Sequence, residues 1–245
     1  MCTVSWLPGA GGYTLCFNRD ERFTRSPALP PAPHTRDGMP FLAPLDGDHG
    51  GTWLAVNAAG VTICLLNRYL VPGYQPPARP RSRGLLLLDL IAAGSVGELW
   101  RALEGTDLRQ TAPFVLAALE PAAAPRVAAW DGATLEGGRR PAPGFLLTSS
   151  SVTEPEVAAS REATFAAVVS PTPEDLVRLH RSHLPERGRR SVCMHRDDAE
   201  TQCFSQVTVT GDRVTLLHVP DAPCRGVPLP PLSLERRALP CPATE

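Results

Sequence analysis

The sequence predicts a layered α+β domain in which sheets are covered by helices. Strand-like segments lie toward both ends of the chain, helical patterns are confined to the middle, and no internal repeat is present. Residues 3–7 and 13–17 alternate around Pro8-Gly9-Ala10-Gly11-Gly12, which reads as a hairpin. Residues 52–57 and 61–66, joined by Ala58-Ala59-Gly60, read as a second hairpin. An apolar stripe predicts a helix over 83–93, and Ser95 with Glu98 in capping-box spacing opens another over 95–104. Short strands are expected at 114–119, 126–130 and 145–148, then helices at 155–168 and 173–184. The last helix has Thr172 as N-cap, Pro173 at the first position and Asp175 at the third. Strands at 192–195, 204–210 and 213–219 close the fold. Proline, 27 of 245 residues, clusters at 27–44, 72–80 and 220–242. The expectation is a single domain over 1–245, with a Pro-rich loop at 27–44 and a loose tail from about 226.

Composition excludes several chemistries. All 24 basic residues are Arg, so there is no lysine for a Schiff base or a phosphate loop. Net charge −1 gives no general attraction to nucleic acid or an acidic membrane, and no apolar run is long enough to span a bilayer. No signal peptide is visible. The seven Cys are scattered and odd in number, without a CxxC pair, which argues for free thiols in a reducing cytoplasm.

The chemistry of most interest sits at residue 2. Removal of Met1, which a small second side chain permits, would leave Cys2 with its thiol and a free α-amine on one residue. That amine, with a pKa near about 8, can accept the thiol proton without a separate His. The first hairpin returns Asn18-Arg19-Asp20-Glu21 toward that end, where Arg19 and Asp20 can hold the amine and orient a substrate carbonyl. Asn57, at the end of a strand, has an amide suited to an oxyanion hole. The three Asn of the chain, Asn18, Asn57 and Asn67, all fall in these segments; turn chemistry is the competing explanation.

These motifs carry a resemblance. Met1-Cys2-Thr3, Asn18-Arg19-Asp20-Glu21, Gly50-Gly51-Thr52-Trp53-Leu54 with Val56-Asn57, and Leu66-Asn67-Arg68-Tyr69 resemble the NRDE family, also called the transport and Golgi organisation 2 family. That family is in turn similar to N-terminal-nucleophile hydrolases of the choloylglycine hydrolase and penicillin V acylase type. The resemblance implies a four-layer αββα sandwich and hydrolysis of a non-peptide amide by Cys2. It also implies that Arg19 and Asp20 flank the thiol, that Asn57 supplies an oxyanion donor, and that Arg161 is a helix-borne substrate-binding Arg. Asn18 and Asn67 fall in the same motifs and are expected to bind substrate. Ser149 stands where the hydrolases have an amide donor, a departure that weakens the expected oxyanion hole. No cofactor is implied. The alternative is a non-catalytic binding or trafficking protein that holds haem, a lipid or an acyl-CoA-like ligand in the same pocket. The expected partner is thus a small or amphipathic molecule, with neither nucleic acid nor stable membrane insertion.

Other clusters read as structural. Cys193, His195, Cys203 and Cys224 match no zinc spacing, and alternation places Cys193 and His195 on one strand face, expected as half-buried strand residues. The six Arg between 178 and 196, against one Glu, read as a solvated face, with an anion-binding rim as the functional alternative.

Overall fold

The computed structural model describes residues 2–139, 141, 144–152 and 154–237. In chain order the elements are β1 (Cys2–Gly9), β2 (Gly12–Arg22), β3 (Leu29–Arg36), β4 (Met39–Leu45), β5 (Leu54–Asn57) and β6 (Thr62–Asn67). Helices α1 (Arg83–Leu90) and α2 (Val96–Glu104) follow, then β7 (Phe114–Leu119), β8 (Arg126–Trp130), β9 (Leu135–Arg139) and β10 (Phe145–Ser149). Helices α3 (Glu154–Ala166) and α4 (Pro173–His180) precede β11 (Ala199–Val209), β12 (Arg213–Val219) and β13 (Leu232–Glu235).

The strands form two antiparallel sheets. One has six strands in the order β10-β1-β2-β11-β12-β13, and the other seven in the order β3-β4-β5-β6-β7-β8-β9. Alternation along each strand sends one set of side chains between the sheets and the other toward helices. Val4, Trp6, Leu15 and Phe17 meet Leu54, Val56, Cys64 and Leu66 in the inter-sheet core. Leu86, Leu99 and Trp100 of α1 and α2 cover Ile63, Leu65 and Phe114 on the outside of the seven-stranded sheet. Leu176 of α4 covers Leu7, Cys16 and Phe204 on the outside of the six-stranded sheet. The result is the expected αββα layering. Fully burying each Leu or Phe side chain contributes about 1.5–3 kcal/mol, so the three apolar layers supply the main cohesion. Among the described residues no helix is long and apolar enough to cross a membrane.

Local signals explain the helix starts. Ser95 Oγ accepts the Glu98 N–H, while the Glu98 carboxylate reaches back to Gly94 N. Thr172 and Asp175 form a complete capping box ahead of Pro173.

Three expectations are corrected. The Pro-rich stretch 27–44 is not a loop: most of it is β3 and β4. Pro30, Pro31 and Pro33 are tolerated because β3 is an edge strand, where a missing N–H costs no ladder bond. The stretch from 226 is not loose throughout, since β13 pairs with β12 and Arg237 N donates to Ala58 O; residues 238–245 lie outside the described residues. Residues 192–195 form an irregular segment rather than a strand, with Cys193 N bonded to Ser182 O and a single bridge from His195 to Glu200.

Candidate functional site

Register builds the site. The β1–β2 pairing sets Arg19 opposite Cys2, and the β1–β10 pairing sets Ser149 opposite Cys2 on its other side. Directly paired residues share a face, so Ser149, Cys2 and Arg19 form a row on the inter-sheet side. Cys2 is 7% exposed and lies in the wall of a cavity of about 450 Å³. Arg19, Asp46, Trp53, Asn67 and Arg83 share that wall. A neighbouring cavity of about 250 Å³ is lined by Asp20, Glu21 and Ser151, among others.

Each wall residue has a local cause. The guanidinium of Arg19 lies 4.6 Å from the Trp53 ring centroid and donates to Asp46 Oδ2 at 2.8 Å. Arg25 donates to both oxygens of Asp46. Asp46 Oδ1 also accepts the N–H groups of Asp48 and His49, which folds the turn after β4. Burial pushes the Asp46 carboxyl up, but the bonds and charges of Arg25 and Arg19 outweigh it and hold the group below its usual range. Gly51 and Gly84 allow the start of α1 to touch the segment just before β5. A Cβ on Gly51 would lie 2.6 Å from the Gly84 carbonyl carbon, and Thr52 N donates to Gly84 O. This close approach brings Arg83 to the cavity, where its Nη1 donates to Pro113 O and burial lowers its pKa.

Asn67 ends β6 at the cavity wall and donates to Tyr69 Oη at 2.9 Å. Burial raises the Tyr69 phenol to about 12. Burial likewise raises the Cys2 thiol, with Arg19 opposing and Asp20 reinforcing the shift. The thiol is therefore neutral near pH 7 in this arrangement and needs a base to become nucleophilic.

Asn18 and Asp20 alternate to the opposite face of β2 from Arg19. Asp20 is 1% exposed; its Oδ1 accepts from Thr201 Oγ1 at 2.7 Å and its Oδ2 from Arg161 Nη2 at 3.3 Å. Asp20 also contributes to the walls of both cavities. Arg161, on α3, is fully buried, and its Nη1 donates to Thr3 and Thr148. Asn18 donates to His180 O and Val192 O and faces His180 Nδ1.

The structure thus brings Cys2, Arg19, Asp20 and Asn67 to the cavity, with Ser149 beside Cys2. It does not bring Asn18, Asn57 or Arg161 there. Asn57 donates both amide N–H groups, to Ile91 O and Ala93 O, and its Oδ1 accepts from Ala59 and Val61. That amide ties a hairpin turn to the end of α1 and has no donor left for a substrate. Arg161 and Asn18 serve the sheet–helix interface instead. Asp46 and Arg83 were missed from sequence. Asp46 lies just after the stretch 27–44 expected as a loop, and Arg83 is the first residue of the helix expected over 83–93.

Comparison with solved structures places the fold. The mutant C2A conjugated bile acid hydrolase from Clostridium perfringens matches with a TM-score of 0.52 at 14% identity, over 88% of each chain. Penicillin V acylase from Agrobacterium tumefaciens matches with a TM-score of 0.56 at 12% identity, over 90% of this chain and 83% of its own. The Caenorhabditis elegans ortholog of N-acylethanolamine-hydrolyzing acid amidase matches with a TM-score of 0.57 at 10% identity, over 84% of this chain and 92% of its own. At these identities the likeness is one of fold, the N-terminal-nucleophile hydrolase fold. No curated protein matches the sequence. The family model for Transport and Golgi organisation 2 matches residues 1–170, more than half of the sequence, and the chain belongs to that family.

Proposed function

We propose that the protein is an amidohydrolase acting on a non-peptide C–N bond, with Cys2 as nucleophile after removal of Met1. Met1 lies outside the described residues. The observation that carries this reading is the row Ser149–Cys2–Arg19 beside a cavity large enough for a small acylated substrate. The α-amine of Cys2 takes the thiol proton, and the sulfur bonds to the amide carbon. The tetrahedral adduct expels the amine, which leaves with that proton. Water then cleaves the thioester, releasing the acid and restoring the thiol.

Asn67 is the better oxyanion donor on geometric grounds, since it shares the cavity wall with Cys2 and Asn57 does not. Ser149 Oγ is buried without a hydrogen-bond partner, directly across the ladder from Cys2, so its hydroxyl is available as a second donor. Arg19 and Arg83 favour a carboxylate or other anionic group on the substrate. Asp20 is suited to hold the α-amine. A cytoplasmic location belongs to the same proposal, supported by the free state of the described cysteines.

Intact mass is expected to show loss of Met1, and Cys2→Ser to abolish turnover across a panel of acyl amides. Asn67→Ala and Ser149→Ala should each lower kcat on the order of 10²–10³-fold. Retention of Met1 in active protein would sink the mechanism. Two observations favour the binding reading: the buried Cys2 thiol is raised rather than lowered, and the wall is rich in Arg. A protein inert to iodoacetamide at Cys2 that shifts the Soret band of added haem, or retains an acyl-CoA, would replace hydrolysis with ligand carriage.

A further inference from the structure

Away from the cavity lies a cluster that the sequence spacing conceals. The ligand-bearing atoms of His183, Cys193, His195 and Cys224 all lie within 4.8 Å of one another. Both sulfurs approach a single nitrogen: Cys193 Sγ and Cys224 Sγ are each 3.5 Å from His195 Nε2. A tetrahedral zinc ion bound at about 2.3 Å to sulfur and about 2.05 Å to nitrogen sets those ligands about 3.5–3.6 Å apart. The two observed separations match two sulfur–nitrogen edges of that tetrahedron.

Hydrogen bonding alone does not account for the arrangement. His195 Nδ1 lies 3.1 Å from Glu200 Oε2, a carboxylate that can only accept; with the ring hydrogen on Nδ1, Nε2 carries the lone pair. One lone pair can accept one thiol proton, yet two thiols converge on it. His183 packs edge-on against His195 with ring centroids 5.1 Å apart, and its Nε2 is buried without a partner. The surroundings are those of a metal site. Glu200, which orients His195, is itself gripped by both Nη atoms of Arg225, the residue after Cys224. Arg187 Nη2 lies 3.3 Å from His195 Nδ1.

We propose that His183, Cys193, His195 and Cys224 form a structural zinc site. Binding one Zn²⁺ releases the two thiol protons and leaves a neutral Cys₂His₂ complex with no open position. The ion would tie the loop after α4 and the segment before β11 to the turn after β12. That segment supports the cavity: Met194 N and O both bond Thr201, and Thr201 Oγ1 bonds Asp20.

The full-length protein is expected to purify with close to one equivalent of zinc. Co²⁺ replacement should give the near-ultraviolet thiolate charge-transfer band, and chelation should lower Tm. Cys193→Ser and Cys224→Ser should lose the metal and the band, whereas Cys203→Ala, a buried change on β11 outside the cluster, should keep both. Wild-type protein that takes up neither Zn²⁺ nor Co²⁺ would overturn the assignment, as would a Cys193–Cys224 disulfide in freshly purified protein. Neither wild-type readout depends on a variant folding or on any enzymatic activity.

Discussion

The two faces of the β1–β2 hairpin carry different kinds of polar chemistry. On the inter-sheet face Arg19 and Cys2 border a cavity, and the Arg19 charge is balanced by Asp46 at the edge of that cavity. On the helix face Asp20 and Arg161 form an ion pair with both side chains fully buried, held by Thr3, Thr148 and Thr201. The motif Asn18-Arg19-Asp20-Glu21 is divided between them by the period of the strand. Adjacent residues of one motif therefore need not share one role: Arg19 faces the cavity, while Asn18 and the Asp20–Arg161 pair hold a helical layer onto the sheet.

This contrast is broken most directly at Arg161. Replacing it with Ala leaves the Asp20 carboxylate buried without its counter-charge, and should cost about 3–5 kcal/mol of stability in urea unfolding. A loss of affinity with full stability would instead make Arg161 a substrate ligand. Asn57→Ala is the next test. It strips partners from Ile91 O, Ala93 O and the N–H groups of Ala59 and Val61, and is expected to cost about 2–3 kcal/mol while the folded fraction keeps its kcat. A stable but inactive variant would restore Asn57 to the oxyanion hole.

The mildest probe is pH. His180 is buried and bonded to Ser5 and Asn18; burial first, then the Arg161 charge, lowers its pKa to about 3. The unfolded residue titrates near about 6.5, so between those values the unfolded chain binds a proton that the folded chain does not. Stability should therefore fall as pH falls from about 6.5, by about 1.4 kcal/mol per pH unit from this group. Denaturation series at pH 7 and pH 5 should show at least that slope, and His180→Gln should reduce it by this group's share. An unchanged slope would mean that acid acts elsewhere, with His218, lowered by burial to about 4, as the first suspect.

Much of this was legible in the sequence because it depends on local rules. The Pro-Gly-Ala-Gly-Gly turn sets the first hairpin, and that hairpin alone places Arg19 opposite Cys2. Ser95 and Thr172 mark helix starts because a side-chain oxygen satisfies N–H groups that the helix leaves open. Asn57 misled for a definite reason. An Asn at a strand end is equally apt as an oxyanion donor and as a turn brace, and only the distance to Ile91 O and Ala93 O separates the two. The Pro-rich strand β3 was hidden because proline is excluded from central strands but not from an edge.

The sequence by itself determined the strand–helix–strand order, the cysteine at position 2, the absence of lysine and the family motifs of the first 70 residues. Short-range sterics, capping and side-chain period are enough for these. Tertiary structure decided which Asn faces the cavity, that Arg161 neutralises Asp20, and that His183, Cys193, His195 and Cys224 meet. The longest of those pairings joins residues 141 positions apart, and only the packing of the layers brings them together.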